Sequence, residues 1–279
     1  ARWAGGIALA PMFLMPPAAT PLPGEMQVAV LDVGQGLAVA QRTANHALVY
    51  DTGPRFGEDA DSGSRIIVPY LRGSGVARLD GLIVSHADID HSGGAASVMD
   101  AVPVDWLATS LPQGHALLEH APHHVRCIAG QNWVWDGVRF DMLHPSRTSY
   151  DNAKIKDNDH SCVLKVSGAH GSLLLLGDIE HRSETELLAR ASTGLQAEVM
   201  VVPHHGGKAS STPAFIRAVN PKIAIFTVGY RNRFGHPKEE VVERYHALGS
   251  RLYRSDRDGA VLLGFSAHGI DLALWRDTH

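Results

Sequence analysis

Cysteine is scarce. The 279 residues contain only Cys127 and Cys162, with no CxxC pair, which excludes a structural zinc site built from thiolates. Two thiols suffice for one disulfide in an oxidising compartment, but nothing in the sequence demands it. A basic excess is also lacking. The 25 Lys and Arg stand against 29 Asp and Glu, a formal charge of -4, so the surface as a whole is not built to attract nucleic acid, although a local basic track remains open. No apolar run reaches the roughly 20 residues that a membrane span needs. Residues 3–19 are apolar but broken by Pro11, Pro16 and Pro17. They read as the end of a membrane helix followed by a Pro-rich linker, Pro16 to Pro23. A signal peptide fits less well, because only Arg2 supplies a basic start. The chain opens on Ala1, as an excised or processed piece does. There is no repeat of fixed period, and no low-complexity tract beyond the linker.

What is present is a core-forming composition, 44% hydrophobic and 19% charged. From Met26 onward, strands and helices alternate. Short apolar strands are expected at Val28–Leu31, Leu37–Ala40, Ala47–Tyr50, Leu82–Val84, Trp106–Ala108, Val125–Ile128, Val138–Leu143, Val199–Val202 and Ile223–Thr227. Cys162–Val166 with Ser172–Leu176, and Ala260–Phe265 with Ile270–Trp275, read as hairpins. Helices are expected at Ile66–Arg72, Ala95–Met99 and Thr212–Val219, and from Pro237 to a cap at Gly249. Another starts at the capping-box pattern Ser183-Glu184-Thr185-Glu186. A polar loop spans Pro54 to Ser64. Trp133 and Trp135, at strand spacing, read as packing residues. Strands in runs with helices between them suggest two mixed sheets with helices outside, in one domain of residues 25–279 behind a tail of residues 1–24.

Histidine is abundant, with 17 in the chain, and its placement carries the chemistry. His86-Ala87-Asp88-Ile89-Asp90-His91 packs four potential metal ligands into six residues after the strand ending at Val84. Residues two apart on extended backbone face one side, so His86 and Asp88 can aim at one metal. A turn into Ser92-Gly93-Gly94 swings Asp90 and His91 towards a second. Two more strand ends repeat the theme: Gly177-Asp178 after a run of four leucines, and His204-His205-Gly206-Gly207 after Val199–Val202. Either motif alone is most often a plain turn or a solvated pair. Recurrence at three strand ends is what points to a divalent-metal site.

These clusters resemble the metallo-beta-lactamase superfamily, with its H-x-H-x-D-H signature followed by a strand-end Asp and a strand-end His. Within it, the chain is similar to the C-terminal hydrolase domain of ComEC-type competence DNA-uptake proteins. The matching pieces are Leu31-Asp32-Val33-Gly34-Gln35-Gly36, Asp51-Thr52-Gly53, Ser85 to Gly94, Asn158 with Ser161, Leu176-Gly177-Asp178, and Pro203-His204-His205-Gly206. The resemblance covers essentially everything from Met26. It implies an α+β fold, the metallo-beta-lactamase-like αβ/βα sandwich, and a site for two divalent ions. His86 and Asp88 would hold one ion and Asp90 with His91 the other, with Asp178 bridging and His204 completing the set. His205 would face the substrate phosphate, although the sequence does not decide between His204 and His205. Asp51, Asn158 and Ser161 would orient the ligands from behind. Asp90, His205 and His236 are the candidates for moving protons.

Three departures stand out. Asp88 replaces the second His of the signature. The middle His is missing, its place taken by Asn158-Asp159-His160-Ser161. Leu37 follows Gly34-Gln35-Gly36 where relatives usually carry a polar residue. The first two make the ligand set richer in oxygen, which favours Mn2+ over Zn2+, with Mg2+ also open. The reaction implied is hydrolysis of a phosphodiester: a nuclease that degrades the non-imported DNA strand during natural transformation. It would act on the periplasmic or extracellular side of the cytoplasmic membrane. Its partners would be DNA and the membrane-channel and OB-like domains of the same full-length protein, with the isolated domain monomeric. Two alternatives are a phosphodiesterase for a small diester such as a phosphorylcholine ester, and a catalytically degenerate DNA-guiding module. A β-lactamase is disfavoured by Asp178 and the Pro203–Gly206 motif. The segment Arg231 to Lys238 packs three cations and Phe234 into eight residues. With Lys208, Lys154 and Lys156 it either follows a DNA backbone or is an ordinary solvated loop.

Overall fold

A computed structural model describes residues 20–121, 123–152, 154–191 and 194–278. The apolar stretch 3–19, with half of the proposed linker, lies outside them. Among the described residues no helix is long and apolar enough to cross a membrane.

Two mixed sheets lie face to face. The first has eight strands in the spatial order Gly269–Leu274, Val261–Ser266, Met26–Val30, Val39–Arg42, Ala47–Tyr50, Gly81–Val84, Leu107–Thr109 and His124–Arg126. The second has seven: Arg251–Arg254, Ile223–Phe226, Val199–Val201, Gly171–Leu175, Val163–Gly168, Val138–His144 and Asn132–Trp135. Each sheet is antiparallel in one part and parallel in the other. In the first, pairing becomes parallel from Ala47–Tyr50 onward. In the second it is parallel from Gly171–Leu175 to Arg251–Arg254.

Alternation along each strand explains the layers. Val39, Leu48, Tyr50 and Ile83 meet Leu173, Leu175, Val199 and Ile225 in the core between the sheets. Their neighbours Ala40, Val49, Leu82 and Val84 face Val68, Leu71 and Val98 on helices Val68–Gly73 and Ala95–Ala101. On the other side, Leu174, Met200, Ala224 and Phe226 face Leu187, Phe215, Val241 and Tyr245. Those residues belong to helices His181–Ala191, Pro213–Val219 and Glu239–Leu248. Strands covered on both faces must be apolar at every position, which is why these segments read as unbroken runs. The result is the α+β helix–sheet–sheet–helix sandwich that the sequence leads one to expect.

Several local expectations need correction. The second strand runs Val39–Arg42 rather than Leu37–Ala40, because Leu37 and Ala38 serve a loop instead. The polar loop 54–64 contains a small hairpin, Arg55–Gly57 with Ala60–Asp61. Strand Arg251–Arg254 was not expected, since an edge strand reading Arg-Leu-Tyr-Arg carries no apolar run. Ser183 and Glu186 do not form a capping box. The helix already begins at His181, Ser183 Oγ donates to Asp159 Oδ1 at 2.7 Å, and Glu186 pairs with Arg190. Cys127 and Cys162 form a disulfide. It ties the residue after the first sheet's edge strand His124–Arg126 to the residue before Val163–Gly168 in the second sheet. Trp133 and Trp135 pack with Trp106 and Phe140, Trp133 stacking on Phe140 at 5.0 Å.

Candidate metal centre

The functional side chains gather at the carboxyl ends of the parallel strands, where open sheets of this kind bind ligands. Strand Ala47–Tyr50 delivers Asp51, and Gly81–Val84 delivers Ser85, His86 and, after one turn, His91. Gly171–Leu175 leads to Asp178, and Val199–Val201 leads to His204 and His205. The crowding is severe enough to dictate glycine. Gly177 has φ +53°, and a Cβ there would stand 2.8 Å from Ser161 Cβ. A Cβ on Gly36 would meet the carbonyl oxygen of Asp90 at 2.4 Å. Leu37 N donates to that same oxygen, so the residue where relatives carry a polar group acts through its backbone while its side chain enters the core. His204 and His205 both adopt left-handed φ, 52° and 53°, a conformation that costs non-glycine residues energy.

Hydrogen bonds fix which nitrogen of each imidazole is free. Asp51 Oδ2 accepts from His91 Nδ1 at 2.7 Å, and its two oxygens also accept from Ser85 N and Ser85 Oγ. Because Ser85 Oγ gives its proton to Asp51, it can only accept from His86 Nδ1, 2.9 Å away. Ser161 Oγ lies 3.3 Å from the same nitrogen and accepts from Asp178 N. Thr227 O accepts from His205 Nδ1 at 2.7 Å. In the neutral tautomer all three rings therefore present Nε2 as a lone pair.

Those three Nε2 atoms and Asp178 Oδ1 are buried and have no hydrogen-bond partner. His91 Nε2 approaches Asp178 Oδ1 to 3.0 Å without forming a hydrogen bond. His205 Nε2 is 3.6 Å from that oxygen and 3.3 Å from Asp90 Oδ2. His86 Nε2 is 3.4 Å from Asp88 Oδ2, on a half-exposed side chain. Two overlapping ligand groups result, His86–His91–Asp178 and Asp90–His91–His205, each with its ligand atoms within 4.8 Å of one another. Orphaned polar atoms at this density cost several kcal/mol unless a cation joins them.

The electrostatics say the same. Burial would push His91 down, but Asp178 and Asp51 outweigh it and hold it well above the usual histidine value. Burial would raise Asp178, yet His91 and His205 keep it well below the usual carboxylate range. Asp90 is likewise held at about 2, its burial overcome by His205 and His91. The cavity thus favours positive charge. His236 is pushed down to about 4 by burial and by the neighbouring His205 and His204.

The structure brings together Asp51, His86, Asp90, His91, Ser161, Asp178 and His205, with Asp88 at the mouth. It places His204 at the edge: Nε2 is 3.9 Å from Asp178 Oδ2, and Nδ1 is 3.9 Å from Glu180 Oε1. His205, anchored by Thr227, points into the ligand cluster, while His204 lies at its edge, a choice between the two that the sequence leaves open. Among the described residues, Asn158 contributes a carbonyl, which accepts from Ser161 N. His236 stands between the cluster and the surface loop, its ring 6.5 Å from His205 and 5.9 Å from His204. Of the expected basic track, Lys156 is paired with Glu180 and Lys208 with Glu240, whereas Lys154 is exposed. Arg231 and Arg233 lie over the rings of Tyr230 and Phe234. Ser85, Thr227 and Glu180 were missed by sequence reasoning. The first two sit at strand ends beside ligands, and that position was the available signal.

Residues 31–229 match the family model described as the Metallo-beta-lactamase superfamily. Competence protein ComA of Neisseria gonorrhoeae is 39% identical over 246 residues, covering 88% of this chain and 33% of that protein. Recombination protein 2 of Haemophilus influenzae is 34% identical over 239 residues, covering 86% of this chain and 29% of that protein. The chain thus spans about a third of the length of these curated relatives. Among solved structures, the metallo-beta-lactamase fold protein YhfI from Bacillus subtilis superposes with a TM-score of 0.56. It is 11% identical, and the match covers 85% of this chain and 99% of that one.

Proposed function

The chain belongs to the metallo-beta-lactamase superfamily, and from that premise we propose that it is a divalent-metal-dependent hydrolase of DNA phosphodiesters. One observation carries the reading: three imidazole Nε2 atoms and a carboxylate oxygen converge, buried and unpartnered, between two further carboxylates. That donor set fits metal ions. His86, His91 and Asp178 would hold one and Asp90, His91 and His205 another, with Asp88 able to join from the mouth. Bound divalent ions supply Lewis acidity and lower the pKa of water from about 16 to about 7.

The rest is the work of this chain's own residues. Asp51, Ser85, Ser161 and Thr227 lock the tautomers of the three histidines, which keeps the lone pairs aimed without reorganisation. Asp90 and His205 are committed to the cluster, which leaves His236 to orient the leaving oxygen. Carboxylates outnumber what a histidine-rich centre would offer, and this supports manganese over zinc. The competence and recombination relatives support DNA as the polymer, and we take the non-imported strand as the substrate. In a longer protein of that kind, channel and OB-like domains would feed this one. The Cys127–Cys162 bond supports an oxidising compartment, outside the cytoplasmic membrane.

The test is to incubate the purified chain with single-stranded DNA, double-stranded DNA and a small chromogenic diester, under Mn2+, Mg2+ and Zn2+ separately. DNA cleavage with Mn2+ is expected. Turnover of the small diester alone would select the small-molecule phosphodiesterase. Metal binding without any hydrolysis would select the guiding module, and zinc-only activity would overturn the manganese preference.

A further inference from the structure

We propose that Tyr230 and Phe234 form a stacking platform for the unpaired bases of a single-stranded nucleic acid, with Arg231 and Arg233 taking its backbone phosphates. This rests on the reading of the site as a DNA hydrolase and adds the form of nucleic acid bound and the residues that select it.

Both rings are out in solvent where a fold normally hides them: Tyr230 is 72% exposed and Phe234 45%. The loop that carries them is held in shape. Asn232 Nδ2 donates to the carbonyls of Gly229 and His236, and Lys238 Nζ donates to the carbonyl of Phe234. Arg231 covers the Tyr230 ring at 5.2 Å and Arg233 the Phe234 ring at 4.9 Å. Among the described residues neither guanidinium pairs with a carboxylate, so both charges remain available to an anion. The rings also lead somewhere. Phe234 stacks on His236 at 5.8 Å, and His236 lies 6.5 Å from His205 in the ligand cluster.

A second patch has the same character. Phe56 and Ile89 are 48% and 58% exposed, and with Arg55, Gly57 and Glu58 they line an open hollow of about 500 Å³. Ile89 sits between Asp88 and Asp90, so this hollow adjoins the ligands. Exposed apolar side chains thus adjoin the charged centre in two places, Ile89 next to Asp88 and Asp90 and Phe234 next to His236. A duplex keeps its base faces inside the stack and offers a protein mainly phosphate, for which cations alone would serve. A single strand offers base faces as well, and alternating aromatic and cationic side chains suit it. Stacking of a base on an aromatic ring is stronger than an exposed cation–π contact, so an arriving base takes the ring face from the guanidinium. The displaced arginine stays beside the ring, where the phosphates pass.

The experiment is fluorescence anisotropy in EDTA, which stops turnover, with labelled oligothymidylate, an abasic oligodeoxynucleotide of equal length, and a duplex. The wild-type chain should bind oligothymidylate more tightly than the other two. Tyr230→Ala and Phe234→Ala should each weaken oligothymidylate binding about tenfold, with abasic binding unchanged. Phe234→Trp should preserve it. Circular dichroism melts check that each variant is folded, which the exposure of both rings leads one to expect. Equal affinity of the wild type for thymidylate and abasic strands would overturn the platform. So would alanine variants that keep their thymidylate affinity, or that lose both ligands equally. DNA cleavage without a thymidylate preference would overturn the platform alone. A preference without cleavage under any divalent ion would overturn the hydrolase reading alone.

Discussion

The two sheets contribute unlike halves to one site. Within the first sheet's half, Asp51, Ser85, His86 and His91 are sealed, with both histidines at most 1% exposed and every Nδ1 satisfied, and only Asp88 of its ligands reaches the mouth half exposed. The half from the second sheet buries Asp178 and His205 but leaves His204 partly exposed and ends in a solvent-facing loop of rings and cations. Left-handed backbone occurs in both halves, at Asp51 in the first and at His204 and His205 in the second. The difference separates two tasks. A sealed half fixes charge and tautomer, while an open half can meet a polymer of variable sequence. Strain is tolerated where the chain must turn two adjacent rings in different directions.

The comparison breaks most completely at Asp178, which touches both halves. Asp178→Ala or His91→Ala should reduce hydrolysis by about a thousandfold or more while far-UV circular dichroism stays that of the wild type. Undiminished cleavage by either variant would place the chemistry elsewhere.

The next largest effect concerns what keeps the halves together. Cys127 and Cys162 are 35 residues apart and link the two sheets beside Ser161. A loop of that length is stabilised by about 4 kcal/mol. Replacing both cysteines by Ala should lower the urea midpoint, with a larger m-value because the denatured chain is no longer held compact. An unchanged midpoint would mean that packing alone joins the sheets.

A third test sharpens the claim that the sealed half works through tautomer control. Asp51→Asn keeps the shape of the side chain but removes the charge behind His91. It should weaken metal binding about 10- to 100-fold, read by competition with a chromogenic chelator. Equal affinity would show that Asp51 only packs.

The smallest effect belongs to the open half. Replacing Arg231 and Arg233 together by Ala should reduce the slope of log binding constant against log salt by between about one and two, with the melting temperature unmoved. An unchanged slope would leave these arginines as solvated surface.

The same contrast governs what the sequence reveals. The candidate site was legible because each of its polar clusters follows an apolar run that must be a buried strand, and a polar cluster after such a run has nowhere to go but a strand end. Asp51, His86, His91 and Asp178 could be found that way. The roles of His204 and His205 could not, because adjacent residues in one motif are told apart only by the backbone conformation and by Thr227, 22 residues away from His205. The disulfide was equally hidden: two cysteines state that a bond can form, and only the meeting of the sheets brings them together. Strand Arg251–Arg254 escaped because an edge needs no apolar pattern. The capping-box pattern at Ser183 misled because a buried Asp159 captured its hydroxyl.

The central claim is that the buried, unpartnered Nε2 and carboxylate atoms exist to hold metal. Elemental analysis of the chain after loading with Mn2+ and exhaustive desalting tests it most directly. Two ions per wild-type chain, falling to one or none in Asp178→Ala, is the predicted result. A wild-type chain that retains no metal, or an Asp178→Ala variant that retains as much as the wild type, would contradict the account.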